Sequence, residues 1–230
     1  AKLCVLFLII STLSTTDLAN VLQSLPKLST LEVHVKNGVL VGNNQNVIHS
    51  RLSHLKNFST CSFVASQTLG PLVDAPGLIH LTLEEQVGPK TVVQPDLWES
   101  CVSHCKLDKR ISRLTLAGNT FENGDAQMLS KISAWTGVQH LNLRGTNQSP
   151  LLTAMTMDKD VLPNVTYLSL EGTDITGTII QNLVNSRSHD VEKETKVGRI
   201  QTLVLSDCIG IDRAFCEDIV QRVDKLAVHY

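Results

Sequence analysis

Along this chain the apolar residues return in a fixed phrase: an apolar residue, two variable positions, a leucine, one variable position and a second apolar residue. It reads Leu3/Leu6/Leu8, Leu28/Leu31/Val33, Leu78/Leu81/Leu83, Ile111/Leu114/Leu116, Val138/Leu141/Leu143 and Val165/Leu168/Leu170. A seventh copy stands at Ile200/Leu203/Leu205 and a blurred one at Leu52/Leu55/Phe58. Successive starts lie 25, 24, 26, 33, 27, 27 and 35 residues apart. Inside the phrase the alternation has the period of two that sends apolar side chains to one face of a short strand and variable ones to the other. Repetition at this spacing predicts stacked supersecondary units, because one unit cannot bury its own apolar face.

Between the strands the period changes. Ser14, Thr15, Thr16 and Asp17 offer capping groups to a helix carrying Leu18, Val21, Leu22 and Leu25 on one stripe, and Pro26 stops it. Met128, Leu129, Ile132 and Trp135 predict another helix, Ile175, Ile179, Ile180 and Leu183 a third, and Ile211, Phe215, Ile219, Val220 and Val223 a last. Strand, crossover helix and parallel strand, iterated with the right-handed connection, predict an α/β solenoid: an arc with a parallel sheet on its concave face and helices outside. Residues 1–230 read as a single domain of about eight repeats. The phrase is interrupted at 36–50, which show no helical pattern, at 84–94, which lengthen a loop, and at 185–198, a polar charged insertion.

Three positions after the last apolar residue of a copy come Ser11, Asn119, Thr146, Thr173 and Cys208, small side chains suited to bonding back to a buried turn's main chain. With this position and the ending LSDCIGIDRAFCEDIV, the chain resembles leucine-rich repeat proteins of the ribonuclease-inhibitor-like type. The stretch through Leu203, Leu205, Cys208 and Ile211 is similar to the cysteine-containing subtype of F-box proteins, and AGN at 117–119 resembles the asparagine-bearing subtype. The resemblance implies a solenoid that captures a substrate while an N-terminal F-box ties it to a cullin-type ubiquitin ligase scaffold. No F-box pattern is visible in these residues.

Composition narrows the partners. A formal charge of -2, 18% charged residues and 4% aromatics argue against nucleic acid, which needs an excess of Lys and Arg. Six scattered cysteines, at 4, 61, 101, 105, 208 and 216, read as reduced thiols of an intracellular protein. Sequons at Asn57, Asn147 and Asn164 matter only if the chain is secreted. The opening AKLCVLFLIISTLSTTDLA imitates a signal peptide, but Leu3, Leu6 and Leu8 keep the repeat's phase, so the chain is expected to be truncated and to open inside a repeat. No stretch approaches the ~18 apolar residues of a membrane span.

No motif for metal-dependent, acyl-transfer, phosphate-binding or dinucleotide chemistry occurs, and no enzyme activity, cofactor or metal is expected. Cys101, His104 and Cys105 read as a helix's core cysteines rather than a zinc site, which needs two spaced pairs. The candidate site is the strands' outward face. The position before each central leucine presents Val5, Thr30, His54, His80, Arg113, His140, Tyr167 and Thr202 as a column across the sheet. Flanking columns add Glu32, His34, Thr82, Glu84, Asn142, Arg144, Ser169 and Glu171. His54, His80, Arg113, His140 and Tyr167, with Glu84, Arg144 and Glu171, are therefore the expected contacts for a protein or peptide ligand, an acidic or phosphorylated one above all. The same residues also suit a half-exposed sheet with no ligand. The first strand differs: Cys4, Val5, Phe7 and Ile9 make an apolar outward face, expected to be covered by preceding repeats or another segment. The function expected is a recognition module, the substrate-binding part of an F-box receptor. The rivals are an intracellular repeat scaffold or inhibitor and a secreted or cell-surface repeat receptor.

Overall fold

The computed structural model describes residues 3–10, 13–35, 40–41, 50–61, 73–84, 106–118, 135–145, 148–172, 175–188, 198–208 and 211–229. The chain forms two compact units, Ala1–Ile111 and Ser112–Tyr230. The architecture is α/β, and every strand pairing described within either unit is parallel.

In the first unit four strands lie side by side in chain order: β1 (Val5–Ile10), β3 (Thr30–Val35), β6 (Asn57–Cys61) and β8 (His80–Glu84). Two short ladders join β2 (Leu13–Ser14) to β4 (Leu40–Val41) and β5 (Ser50–Arg51) to β7 (Val73–Asp74). Helix α1 (Thr15–Gln23) forms where expected. The Ser14 hydroxyl accepts from the Asp17 N–H at 3.4 Å, and Leu18 and Leu22 are fully buried, whereas Val21 on the same expected stripe is exposed. A single turn, α2 (Leu107–Arg110), closes the unit.

The second unit orders β9 (Arg113–Ala117), β10 (His140–Arg144), β11 (Tyr167–Glu171), β12 (Thr202–Ser206) and β13 (Lys225–His229). Its helices are α3 (Ser149–Met157), α4 (Gly177–Ser188) and α5 (Arg213–Ile219), with α4 packed between the other two. Asp212 caps α5, its carboxylate accepting from the Phe215 N–H at 2.8 Å. Trp135 is buried but lies outside any helix, and 128–132 fall outside the described residues.

From the second copy to the eighth the phrase leucines are the core, whereas Leu3 of the first copy is exposed. Leu28, Leu55, Leu78, Ile111, Leu114, Leu141, Val165, Leu168 and Leu203 are all fully buried, each such side chain stabilising by about 1.5–3 kcal/mol. Two assignments change. The third copy is Leu55/Phe58/Thr60, three residues later than the periodicity suggests, since β6 pairs Thr30 with Asn57 and Leu31 with Phe58. Buried Thr60 takes the last apolar position, its hydroxyl donating to the Val33 carbonyl at 2.7 Å. A ninth copy follows at Val223/Leu226/Val228, so α5 stops at Ile219 instead of running on to Val223.

One main-chain device recurs. The carbonyl of the residue just before a strand accepts two N–H groups from the next copy: Cys4 from Ser29 and Thr30, Ser29 from Lys56 and Asn57, Lys56 from Ile79 and His80. In the second unit Ser112, Gln139, Thr166 and Gln201 do the same. At the other end of the strands a left-handed residue extends the ladder: Gly118, Gly145, Gly172 and Asp207 have φ of 77°, 92°, 58° and 51°. Their N–H groups donate to Arg144, Glu171, Ser206 and His229 carbonyls at 2.8–3.1 Å.

Arg187 belongs to the stretch expected to be a charged insertion, yet it lies in α4 and is 3% exposed. Its guanidinium donates to the carbonyls of Met155 at 3.3 Å, Val161 at 2.6 Å and Leu162 at 3.0 Å. Leu162 has a left-handed φ of 47°, unfavourable for a leucine, and Arg187 clamps that turn. Burial lowers the Arg187 pKa to about 10, partly opposed by Asp158, so it stays charged at neutral pH.

Two stability predictions follow from these contacts. A Cβ on Gly145 would lie 3.0 Å from the Gly118 Cα at a φ of +92°; Gly145→Ala is expected to destabilise by roughly 1–3 kcal/mol. Arg187→Met keeps bulk but strands buried carbonyls, an expected loss of roughly 2–5 kcal/mol. Denaturant titration of each variant, with full retention of wild-type stability as the contrary result, checks both.

Candidate functional site

In the first unit the outward column runs Val5, Thr30, Asn57, His80, and the next Phe7, Glu32, Ser59, Thr82. His54 is corrected out of the column: it sits in the exposed turn before β6, and Asn57 holds the register position between Thr30 and His80. The Asn57 side-chain amide donates to the Thr30 hydroxyl at 3.1 Å. His80 and Glu84 lie on β8, both half-buried. Glu84 is drawn into a cluster around His34, whose Nε2 is 2.6 Å from Glu32 Oε1 and whose Nδ1 is 3.5 Å from Glu84 Oε2. The Glu32 contact is a hydrogen bond, whereas the longer Glu84 contact is an ion pair only when the ring carries a proton. The Phe7 ring packs on His34 with centroids 5.5 Å apart. The apolar outward face of β1 is real: Val5, Phe7 and Ile9 are 59%, 52% and 55% exposed.

In the second unit three columns cross five strands. The first is Arg113, His140, Tyr167, Thr202 and Lys225; the second is Thr115, Asn142, Ser169, Val204 and Ala227; the third is Ala117, Arg144, Glu171, Ser206 and His229. Arg113, His140, Tyr167, Arg144 and Glu171 are thus brought together as expected. The His140 and Tyr167 rings lie 5.1 Å apart at 33°, a tilted pair with both residues half-buried. Arg144 Nε meets Glu171 Oε2 at 2.9 Å, a half-exposed pair that adds little stability, about 0–1 kcal/mol. Lys225 was missed, although Val223/Leu226/Val228 repeats the phrase and marks it as the residue before a central leucine.

Electrostatics single out His140. Burial lowers its pKa below the ordinary imidazole value, and the neighbouring Arg113 guanidinium lowers it further by opposing a second positive charge. A cavity of about 260 Å³ opens at the ends of β12 and β13, lined by Leu205, Asp207, Cys208, Ile211, Val228 and His229. Its thiol is engaged: Cys208 Sγ donates to the Leu170 carbonyl at 3.4 Å and lies 3.5 Å from that of Ser206. That is the back-bonding turn role expected of Cys208; the other positions of that set lie outside the described residues.

Cys101, His104 and Cys105 also lie outside the described residues, and within those residues no three His, Cys, Asp or Glu side chains converge as metal ligands. Cys216 carries a free thiol. Of the sequons, Asn164 uses its amide to donate to the Thr136 carbonyl at 2.7 Å. No helix of the described residues is long and apolar enough to cross a membrane. No protein-family model matches the chain, and no curated protein matches it.

The His140 environment generates a pH prediction. Because its pKa is depressed in the folded protein, the unfolded chain binds more protons as pH falls through the ordinary value near 6.5; stability is therefore lost in that direction and regained as pH rises. Arg113→Gln removes one depressing charge and is expected to raise the His140 pKa, read by NMR titration of its imidazole. An unchanged titration midpoint would show that the two side chains do not interact.

Proposed function

We propose that this protein is a recognition module that binds a protein ligand across the outward faces of its parallel strands, as the substrate-binding repeat region of an F-box type ubiquitin ligase receptor. The observation that carries the reading is the in-register polar column of the second unit, where main-chain pairing holds Arg113, His140, Tyr167, Thr202 and Lys225 in one row. Such a row has the composition of an interface centre, with Arg and Tyr as anchors. The repeated strand, crossover and parallel strand support a right-handed leucine-rich arc with its strands on the concave face. Cys208, bonded back to the preceding copy, supports the cysteine-containing subtype. The free thiol at Cys216 supports an intracellular setting.

The test is affinity capture with the full-length protein in cells, read by mass spectrometry. Wild type is expected to bring down a cullin scaffold together with a substrate. Arg113→Ala with His140→Ala in the second unit should lower substrate recovery at least roughly tenfold, the effect of losing one charge-assisted bond, while the scaffold stays and the thermal midpoint is unchanged. His80→Ala with Glu84→Ala probes the first unit in the same way. Substrate capture that survives both pairs removes the strand faces as the site; substrate without a cullin leaves a scaffold or inhibitor with no ligase link.

A further inference from the structure

The outward face of the second unit carries an imbalance of charge that its own side chains leave unanswered. Arg113, Arg144 and Lys225 face the same side of the sheet as one carboxylate, Glu171. Arg144 already holds Glu171 at 2.9 Å. Among the described residues no carboxylate pairs with Arg113 or Lys225, and both are exposed. Asp224, next to Lys225, is taken by Arg199 at 3.2 Å. Between the two cations lie the tilted pair of His140 and Tyr167 rings and the Thr202 hydroxyl.

We propose that this face is a docking site for an extended acidic peptide that crosses the strands from Arg113 to Lys225, with an anionic side chain seated between Arg113 and His140. The proposal rests on the recognition reading above and gives its ligand a chemistry. Four strand steps of ~4.8 Å separate Arg113 from Lys225, roughly 19 Å, the reach of about six extended residues. Carboxylate and phosphate both suit a guanidinium with an imidazole beside it. The Tyr167 and His140 rings offer a flat amphipathic floor, and Thr202, Ser169 and Ser206 offer hydroxyls along the path. A peptide fits better than a nucleic acid, because two unanswered cations on a chain of net charge -2 match a few acidic side chains, not a phosphate at every step.

Binding is coupled to a proton. The groups beside His140 in register are Arg113 from β9 and Tyr167 from β11, with Arg144 on its own strand and Glu171 on β11 four residues further along the same face. Burial and then Arg113 hold the free imidazole's pKa below its ordinary value. A ligand anion beside it reverses the local sign, so His140 takes up a proton as the peptide binds and affinity rises as pH falls.

The test uses the full chain and defined probes: blocked hexaglutamate, a blocked glutamate hexapeptide with a central phosphoserine, hexalysine, inorganic phosphate and hexauridylate. Either acidic peptide is expected to shift the amide signals of Arg113, His140, Tyr167 and Lys225, with at least tenfold tighter binding at pH 5.5 than at 7.5. Arg113→Gln and Lys225→Gln, both exposed and so neutral to folding, are each expected to weaken binding tenfold or more, and His140→Ala to abolish the pH dependence. Which acidic peptide binds tighter, and whether inorganic phosphate shifts the same signals, identifies carboxylate or phosphate as the group seated at Arg113. The proposal falls if neither acidic peptide shifts these signals, if hexalysine or hexauridylate binds tighter, or if Arg113→Gln leaves affinity unchanged. Should it fall while Arg113→Ala with His140→Ala still loses its cellular substrate, the recognition reading stands and the acidic ligand alone is withdrawn.

Discussion

The carbonyl that precedes each strand, shared between two N–H groups of the next copy, is the contact on which the rest depends. Cys4, Ser29 and Lys56 in the first unit and Ser112, Gln139, Thr166 and Gln201 in the second all use it. Because both donors come from consecutive residues at a strand entrance, a slip of one residue would cost the pair and would also turn every leucine of the phrase from core to solvent. Main-chain pairing and apolar burial therefore select the same register. The crossovers between strands are left free to differ: the first unit builds part of its other side from two-residue ladders, the second from helices α3, α4 and α5.

The strand exits carry a second constraint. Gly118, Gly145, Gly172 and Asp207 continue the ladder from a left-handed conformation that L-residues with a Cβ resist. At Gly145 the reason is space as well as φ, since Gly118 lies against it. Asp is among the few non-glycine types that tolerate this region, which fits Asp207 at the fourth position. Glycine at 118, 145 and 172 recurs at the repeat's own interval, so this turn was readable as a second phrase running in step with the leucines.

Most of the α/β frame was legible because burial follows the period of two so closely. Where reading failed, the cause is specific. Leu52, Leu55 and Phe58 are spaced by three on both sides of Leu55, so two registers fit equally well. The apolar residue three before a phrase is itself part of the design, as Leu25, Ala75, Trp135 and Leu162 stand in the same relation to Leu28, Leu78, Val138 and Val165. Thr60 tipped the choice: a polar residue in the last core position hides the true copy until its hydrogen bond to Val33 is known. His54 fell with that register. Val223 was absorbed into a helical stripe because Ile219 and Val223 sit four apart, which also concealed Lys225. Arg187 was unreadable for a different reason. An arginine in a polar stretch looks solvated unless the carbonyls it must satisfy, on Met155, Val161 and Leu162, are seen to converge on it.

The two units show what such a frame leaves open. In the first, the outward residues are an exposed apolar stripe and two carboxylates gathered on His34. In the second, they are cations with one carboxylate already engaged and an aromatic pair between them. Nothing in the pairing of either unit requires these differences, since every inter-strand bond that sets the register is main chain to main chain. Side chains at the outward positions can change charge and size with little effect on the core, whereas the leucines behind them cannot. The fold therefore resides in the buried half of the phrase, and the exposed half is free to vary without disturbing it. Nothing behind the sheet demands the polarity of Arg113, His140, Tyr167 and Lys225, which leaves those positions open to whatever faces them from solvent.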